Sequence, residues 1–443
     1  MRRLVPVPAE RAITLDFEGV PVPAQEGEPV AVSLLAAGHS VLARSVKYHR
    51  PRGAFCLSAG CSQCLMRVDG TPNLFSCRVP ARGGMRLQRQ NSYPSAKVDV
   101  FSAIDWLFPS GLDHHAMFAG VPVADRVMAK VARHLAGLGL LPDEVAPTRA
   151  QPEFLTTEVA IAGGGAAGFA AAEALGAAGV PFVLLEREEA LGGRWRLGAP
   201  EAGTPATLLL PQGSGTVRLL TTVLGLFTGA QGRFLAAVSS GPEGPRLMLV
   251  RSRRFLLALG GHAPLLPFED NDLPGIFSGR AVSDLVRRRG VLVGDAPAVV
   301  GHGPELPALV TLLEEAGARP ALVLDTSSSP AKGAMAGKLL KAHGRTWVQA
   351  LSVELVRGRK KVACDAVVLS VPPAPAYEVA RHAGARVVFH PELGVFVVEA
   401  DAEGRTRAEG VFVAGNALGG TTAARAAESG RRAAAALIRE VRP

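Results

Sequence analysis

The sequence predicts an α/β chain of several domains, and three observations carry that reading. Four of its five cysteines stand between positions 56 and 77. A strand, a glycine turn, an Ala-rich helix and a second strand follow one another from Thr157. A second copy of that pattern begins at Ala298. With 443 residues the chain exceeds one ordinary domain. Its 48% apolar and 20% charged residues allow a packed core and exclude wholesale disorder.

Composition removes several function classes. No uncharged apolar run reaches membrane-spanning length; Val159 to Val180 comes nearest and is broken by Glu173. The opening MRRLVPVPAERAI has arginines without an apolar stretch behind them, unlike a secretory signal, so a cytoplasmic location is expected. The net charge of +9 could suit nucleic acid, yet the chain has three Trp and three Tyr and no basic helix interleaved with aromatics. Residues 1–91 carry a basic surplus, read as a surface for a protein partner or an anionic cofactor, with a solvated face as the alternative.

Taken in order, ITLDFEG (13–19) alternates apolar and polar before VPVPA, as two strands of a hairpin do. Pro29 opens a helix over VAVSLLAAG that Gly38 closes. After the cysteine loop come a strand at LMRV, a turn at Asp69-Gly70, a strand at NLFSC and a last strand near MRLQ. This order suggests a β-grasp domain over residues 1–95. Residues 96–152 read as a connector with one amphipathic helix around Val123–Leu138. The first β-α-β unit follows, then the second from AVVGHGPE, and the chain returns to the first pattern at GVFVAG and the helix TTAARAAESGRRAAAALIREV.

The cysteines are spaced C-x4-C-x2-C-x12-C as Cys56, Cys61, Cys64 and Cys77. Thiolates are soft donors that suit zinc or iron–sulfur. Structural zinc favours two short knuckles, whereas C-x4-C-x2-C wraps a plant-type 2Fe–2S cluster. The Asp69-Gly70 hairpin signal returns Cys77 toward Cys64. The cluster is the preferred reading and zinc the alternative. Cys364, alone in VACDAVVLSV, reads as a buried strand residue.

Gly163-Gly164-Gly165-Ala166-Ala167-Gly168 lies between a strand and a helix. Gly163 makes the tight turn, Gly165 lets a pyrophosphate approach backbone, and Gly168 lets helix pack on strand. The helix N-terminus would hold the phosphates, and Glu186, ending the next strand, would take the ribose hydroxyls. Gly192-Gly193 follow at a spacing typical of FAD enzymes. Ala167, Arg187, Gly193, Arg194, Gly260, Gly415, Asn416 and Thr421 complete the expected cofactor-binding set. The second copy, Gly301-His302-Gly303-Pro304-Glu305-Leu306, puts Leu306 where a third glycine belongs, and Asp325 ends its next strand. Gly301, Gly303 and Asp325 are therefore read equally as a nucleotide site or as a structural remnant.

The run Lys47-Tyr48-His49-Arg50-Pro51-Arg52-Gly53, the segment Gln90-Asn91-Ser92-Tyr93-Pro94-Ser95 and the body to the C-terminus resemble a known family. It is the α-subunit family of heterotetrameric sarcosine oxidase, dye-linked proline dehydrogenase, opine oxidase and hydrogen cyanide synthase. The resemblance implies a two-dinucleotide-binding-domain flavoprotein, glutathione-reductase-like, behind a β-grasp 2Fe–2S domain. Its divisions would be 1–95 for the cluster domain, 96–152 for the connector, 153–290 and 362–443 for the FAD-binding domain, and 291–361 for a second, NAD-like domain. The family implies an electron-transferring component of an enzyme for CH–NH donors of sarcosine, proline, opine or glycine type. Its partner would be an FAD-containing β-subunit that oxidises the substrate, with FMN at the subunit interface, NAD or ATP as a further nucleotide, and a dye, quinone or carrier protein as acceptor. The segment Gly410 to Asn416 resembles the strand that places a carboxylate on the flavin ribityl chain in two-dinucleotide flavoproteins, which usually carry Gly-Asp where this chain has Gly415-Asn416. A stand-alone NAD(P)H-dependent ferredoxin reductase and a subunit with a purely structural adenine nucleotide are the alternatives. The basic run at 47–53 would contact phosphates or a partner, or be a solvated loop; His114-His115 reads as a surface pair. His49, His262 and His302 sit beside motifs where they could poise a flavin, or are simply hydrogen-bonded. No catalytic residue can be named.

Overall fold

The structure, a computed structural model, describes residues 1–46, 48–92, 99–107, 127, 151–197, 205, 207–208, 215–241, 244–419 and 422–442. Lys47, Tyr93 to Ser95, His114, His115, Thr421 and nearly all of the expected 123–138 helix lie outside the described residues. The chain divides into two compact units, Met1–Ala146 with Leu265–Val371, and Pro147–Pro264 with Pro372–Pro443.

In the first unit Ala12–Phe17 and Val20–Gln25 pair antiparallel, as their alternation predicts. They join Arg86–Gln88, Leu65–Val68 and Thr71–Phe75 in a five-stranded mixed sheet. The helix Val30–Ala36 starts at Pro29, whose missing N–H costs nothing at that position. It buries Val30 to Leu35 against Leu15, Phe17, Val22 and Leu87 of the sheet, which makes the β-grasp. The same core continues through Phe277, Val299, Leu306 and Leu313 into a seven-stranded sheet. Ile276–Ser278, Val367–Ser370, Ala298–Gly301 and Leu322–Asp325 lie parallel there, and Met335–Gly344, Val348–Leu355 and Gly358–Ala363 continue the sheet as an antiparallel arm. Cys364 is buried as expected, although in the link before Val367–Ser370 and not in a strand.

The second unit is built on five parallel strands in the order Thr216–Arg218, Phe182–Leu185, Val159–Ala162, Arg254–Leu257, Val411–Val413. Both faces are covered, so its strands are continuously apolar. Val159 and Ile161 pack toward the helices Ala166–Ala177 and Ala423–Val441, and Ala160 and Ala162 toward the opposite layer. That layer includes Thr221–Gly229, Gly232–Gly241, Gly244–Arg251 and Glu153–Thr156. No described helix is long and apolar enough to cross a membrane.

Candidate functional site

The loop between Cys56 and Cys64 owes its shape to backbone that sequence rules would not assign. Leu57, Ala59 and Ser62 have φ of 49°, 58° and 56°, the left-handed region that favours glycine. Alternating right- and left-handed residues turn successive N–H groups inward. Ser58 N donates to Cys56 Sγ at 3.4 Å. The N–H groups of Gly60, Gln63 and Ala59 also donate to sulfur, on Cys56, Cys61 and Cys77 respectively.

The thiols are gathered as two pairs. Cys61 donates to Cys56, and that bond, with the N–H groups of Ser58 and Gly60, overcomes burial and lowers the Cys56 pKa to about 5. Cys77 donates to Cys64 and lowers it likewise, while both donors are pushed up. Cys56 also acts electrostatically on Cys64 and Cys77, so the pairs are neighbours. Among the described residues no three His, Cys, Asp or Glu side chains converge as a mononuclear metal site requires. Two adjacent thiol pairs under inward N–H groups suit a two-iron cluster, each iron taking one pair, better than tetrahedral zinc.

The described cations of the basic run beside this loop are ion-paired within the first unit. Buried His49 meets Asp99 at 2.9 Å, Arg50 meets Asp105 at 2.8 Å, and Arg52 bonds Asp272. Its cations fasten the β-grasp to other segments of the first unit. His262 likewise pairs with Glu378 at 3.2 Å, and His302 with Thr326 at 3.1 Å.

In the second unit the glycine turn is a cradle. A Cβ on Gly163 (φ 98°) would lie 2.4 Å from Ala258 O, and one on Gly168 would lie 1.8 Å from Gly163 O. Gly165 differs: no described residue lies within 4 Å of the place its Cβ would take. Gly165 caps the helix Ala166–Ala177 without any side-chain partner, which leaves the first-turn N–H groups open. Gly192 N bonds Gly164 O at 2.8 Å, and a Cβ on Gly193 would lie 2.9 Å from Gly165 Cα. Glu186 is buried and accepts from Gly164 N at 2.5 Å and Glu188 N at 2.8 Å; burial raises its pKa against those bonds. Arg187 is exposed, and Arg194 is half-buried in the 3₁₀ turn Gly193–Arg196.

The same fold brings Gly415 against Ala167, whose Cβ would be 3.0 Å from a Cβ on Gly415. Asn416, next in sequence, is buried; its Nδ2 reaches Pro373 O at 3.4 Å, and its Oδ1 has no partner among the described residues. Gly260 (φ 73°) and Gly261 pass beside it, and a Cβ on Gly261 would lie 2.4 Å from Asn416 Nδ2. Trp195 Nε1 is also buried without a partner, its ring edge-on to Phe169 at 6.1 Å. A buried unmet acceptor and donor beside an open glycine cradle fit a bound polar ligand. Sequence reasoning missed Trp195 and Gly261. It also missed Gly430, whose Cβ would fall 2.0 Å from Ala167 O where two helices cross; a glycine inside an Ala-rich helix was the available signal.

The second turn is close-packed at its first glycine, as the first turn is at Gly163. A Cβ on Gly301 would lie 1.8 Å from Ser370 O, and Gly303 is exposed at φ 92°. Leu306 is buried in the core, which the sheet and helix accommodate without separating. Asp325 spends both oxygens on its own loop, accepting from Ser327 N and Ala331 N at 2.8 Å each. Burial opposes its ionisation, but those bonds and His302 outweigh it and hold its pKa low.

Comparison with known proteins agrees with this architecture. Residues 10–92 match the 2Fe-2S iron-sulfur cluster binding domain. The sarcosine oxidase α-subunit of Rhizobium meliloti is 26% identical over 97% of this chain and 46% of its own length. HcnA, from the hydrogen cyanide synthase of Pseudomonas aeruginosa, is 37% identical over 86 residues, 19% of this chain and 82% of HcnA. The chain belongs to the family of sarcosine oxidase α-subunits and their opine oxidase and hydrogen cyanide synthase counterparts. It spans less than half the length of the sarcosine oxidase α-subunits it matches. The fold is that of L-proline dehydrogenase from P. horikoshii, at TM-score 0.74 and 22% identity over 100% of this chain and 76% of that one.

Proposed function

We propose that this chain is the electron-transferring subunit of a flavin- and 2Fe–2S-dependent oxidase or dehydrogenase of amines or amino acids. The observation that carries the reading is one chain with two thiol pairs in a cluster-domain match and an open glycine cradle beside the unmet Asn416 Oδ1. Cys56 with Cys61, and Cys64 with Cys77, would hold the cluster. FAD is the group we assign to the first turn: Gly163, Gly165, Ala167 and Gly168 for the pyrophosphate, Glu186 for ribose, and Gly193, Gly260, Gly415 and Asn416 along the remainder. When bound, a flavin accepts two electrons and a 2Fe–2S cluster passes one at a time.

The protein's own part is to bind, orient and desolvate. Open N–H groups at the helix start attract phosphate. Asn416 Oδ1 would accept a hydroxyl hydrogen, as a carboxylate would but without adding charge. No described side chain near this site is placed as a general base, so the substrate pocket is assigned to a β-subunit, with a dye, quinone or carrier protein as acceptor. Free NAD(P)H is a poor donor on this reading, because Pro304 removes an N–H from the second helix start and Glu305 adds an acid to its first turn, both against an anionic pyrophosphate. The second turn is then structural. The test is to extract and identify the bound cofactors by mass, then assay the chain with sarcosine, proline, glycine and opines plus a dye, alone and with its neighbouring-gene partner. Turnover only with the partner is expected; full turnover by the chain alone, or flavin bleaching by NADH without amine, would overturn the proposal.

A further inference from the structure

Arginine supplies most of the chain's basic residues, yet five of its eight lysines fall between positions 332 and 361. Residues 331–363 hold Lys332, Lys338, Lys341, Lys360, Lys361, Arg345, Arg357 and Arg359 against the single acid Glu354. They form the antiparallel arm of the seven-stranded sheet. Glu354 stands between Lys338 and Arg359, and Ser352 between Lys341 and Lys361, whereas Lys360 opposes Val353. Directly opposed residues share a face. The other face buries Ala342, Leu351 and Val353, so Lys338, Lys341, Arg359 and Lys361 share the solvent face, while Lys360, opposite Val353, lies outside it at the edge strand.

Neutralisation is incomplete. Lys341 pairs with Glu269 and Asp270, and Arg359 lies 3.6 Å from Glu354. Among the described residues no carboxylate comes within ion-pair distance of the exposed Lys338, Lys360 or Lys361. His343, bonded to Ser352 at 2.7 Å, registers that field: burial first, then Lys361 and Lys341, depress its pKa. Edge strands carry lysine to prevent edge pairing, which explains Lys360 and Lys361. It does not explain Lys338, two strands inward, or Arg345 and Arg357 in the turns. Val356, 93% exposed in the turn before Gly358–Ala363, adds apolar area among the charges. A polyanion backbone has no use for that apolar area, whereas protein interfaces combine both.

We propose that this face docks an acidic protein that takes electrons from the chain, an inference that rests on the cluster assignment for the electrons but not for the docking. Opposite charge speeds encounter and fixes orientation, and it is screened by salt. The experiment titrates the purified full chain, with its bound cofactors, against flavodoxin, an acidic one-electron carrier, at low and moderate ionic strength. Binding should weaken about tenfold with salt and at least about tenfold more in the Lys338→Glu, Lys361→Glu double variant. Glutamate keeps the edge charged, so edge protection survives while the sign reverses; a Lys→Gln double variant serves if the reversed protein does not fold. Absent or salt-independent binding, binding equal in the folded variants, or displacement of flavodoxin by a short DNA duplex would overturn the proposal. Visible absorption reports the cluster separately: flavodoxin binding by a protein without it would sink the electron-transfer reading and leave the docking intact.

Discussion

Gly165 and Gly168 stand three residues apart in one turn, and the structure assigns them opposite sensitivities. At Gly165 the φ and ψ of −68° and −171° suit any residue, and an added methyl meets no described residue within 4 Å. Replacing this glycine by alanine reduces unfolded-chain entropy, worth about 0.4–1 kcal/mol. Against that stands alanine's poor rank as a helix cap, a cost of similar size. Gly165→Ala should therefore unfold within about 3 °C of the parent while losing most of its bound adenine dinucleotide, because the methyl enters the space kept for pyrophosphate. At Gly168 the added carbon falls 1.8 Å from Gly163 O, so helix and turn must separate by more than an ångström. Overpacking of a rigid core costs about 1–3 kcal/mol and more where backbone must move. At about 2–4 °C per kcal/mol for a unit of this size, Gly168→Ala should melt roughly 6–12 °C lower. Calorimetry with mass identification of the extracted nucleotide measures both. A Gly165→Ala protein with full nucleotide content would refute the cradle, and a Gly168→Ala protein of parental stability would refute the packing.

Cys61→Ser replaces a thiolate by a harder hydroxyl and should abolish or strongly perturb the cluster's visible and paramagnetic spectra while nucleotide content stays the same; intact spectra would contradict the ligand set. Asp325→Ala leaves the Ser327 and Ala331 N–H groups without their acceptor and should cost about 2–3 kcal/mol with no change in bound nucleotide; loss of a nucleotide would reopen the second turn as a site. Burial, then Asp365, pushes the Cys364 thiol up to about 12. A folded pKa above the unfolded value near 9 gives stability that is complete below about pH 9 and lost as pH rises toward 12. The native protein should thus resist alkylation at Cys364 at pH 8, and labelling there as fast as in denatured chain would remove that prediction.

What was legible came from local periodicity. The hairpin at Ala12–Gln25, the helix after Pro29, the strand Leu65–Val68 and both glycine turns stand where alternation, proline and glycine put them. The cysteine spacing revealed the donor set because covalent spacing and ligand chemistry are both sequence properties. The pairing of the thiols was not legible, since it depends on Leu57, Ala59 and Ser62 taking a conformation that glycine would have advertised. The ion pairs of the basic run at 47–53 were not legible because Asp99, Asp105 and Asp272 are distant in sequence and only tertiary structure brings them to His49, Arg50 and Arg52. Counting charge in the N-terminal segment similarly overlooked the arm at 331–363, whose cations align only once three strands are in register.

The two glycine turns show why a motif alone does not define a nucleotide site. Both open a helix after a parallel strand, and both have an acid at the end of the next strand. The first leaves polar capacity unspent: helix N–H groups free of a cap, Asn416 Oδ1 and Trp195 Nε1 buried without partners among the described residues, and vacant space over Gly165. Such groups cost about 1–3 kcal/mol each when unmet, so a folded chain retains them where a ligand meets them. In the second, Pro304 removes an N–H from the helix start, Glu305 places an acid in the first turn, and Leu306 replaces the third glycine. Ser370 Oγ, beside Gly301, is buried without a partner among the described residues, so polar capacity remains there too. What separates the turns is the acid and the missing N–H at the second helix start, which oppose an anionic pyrophosphate.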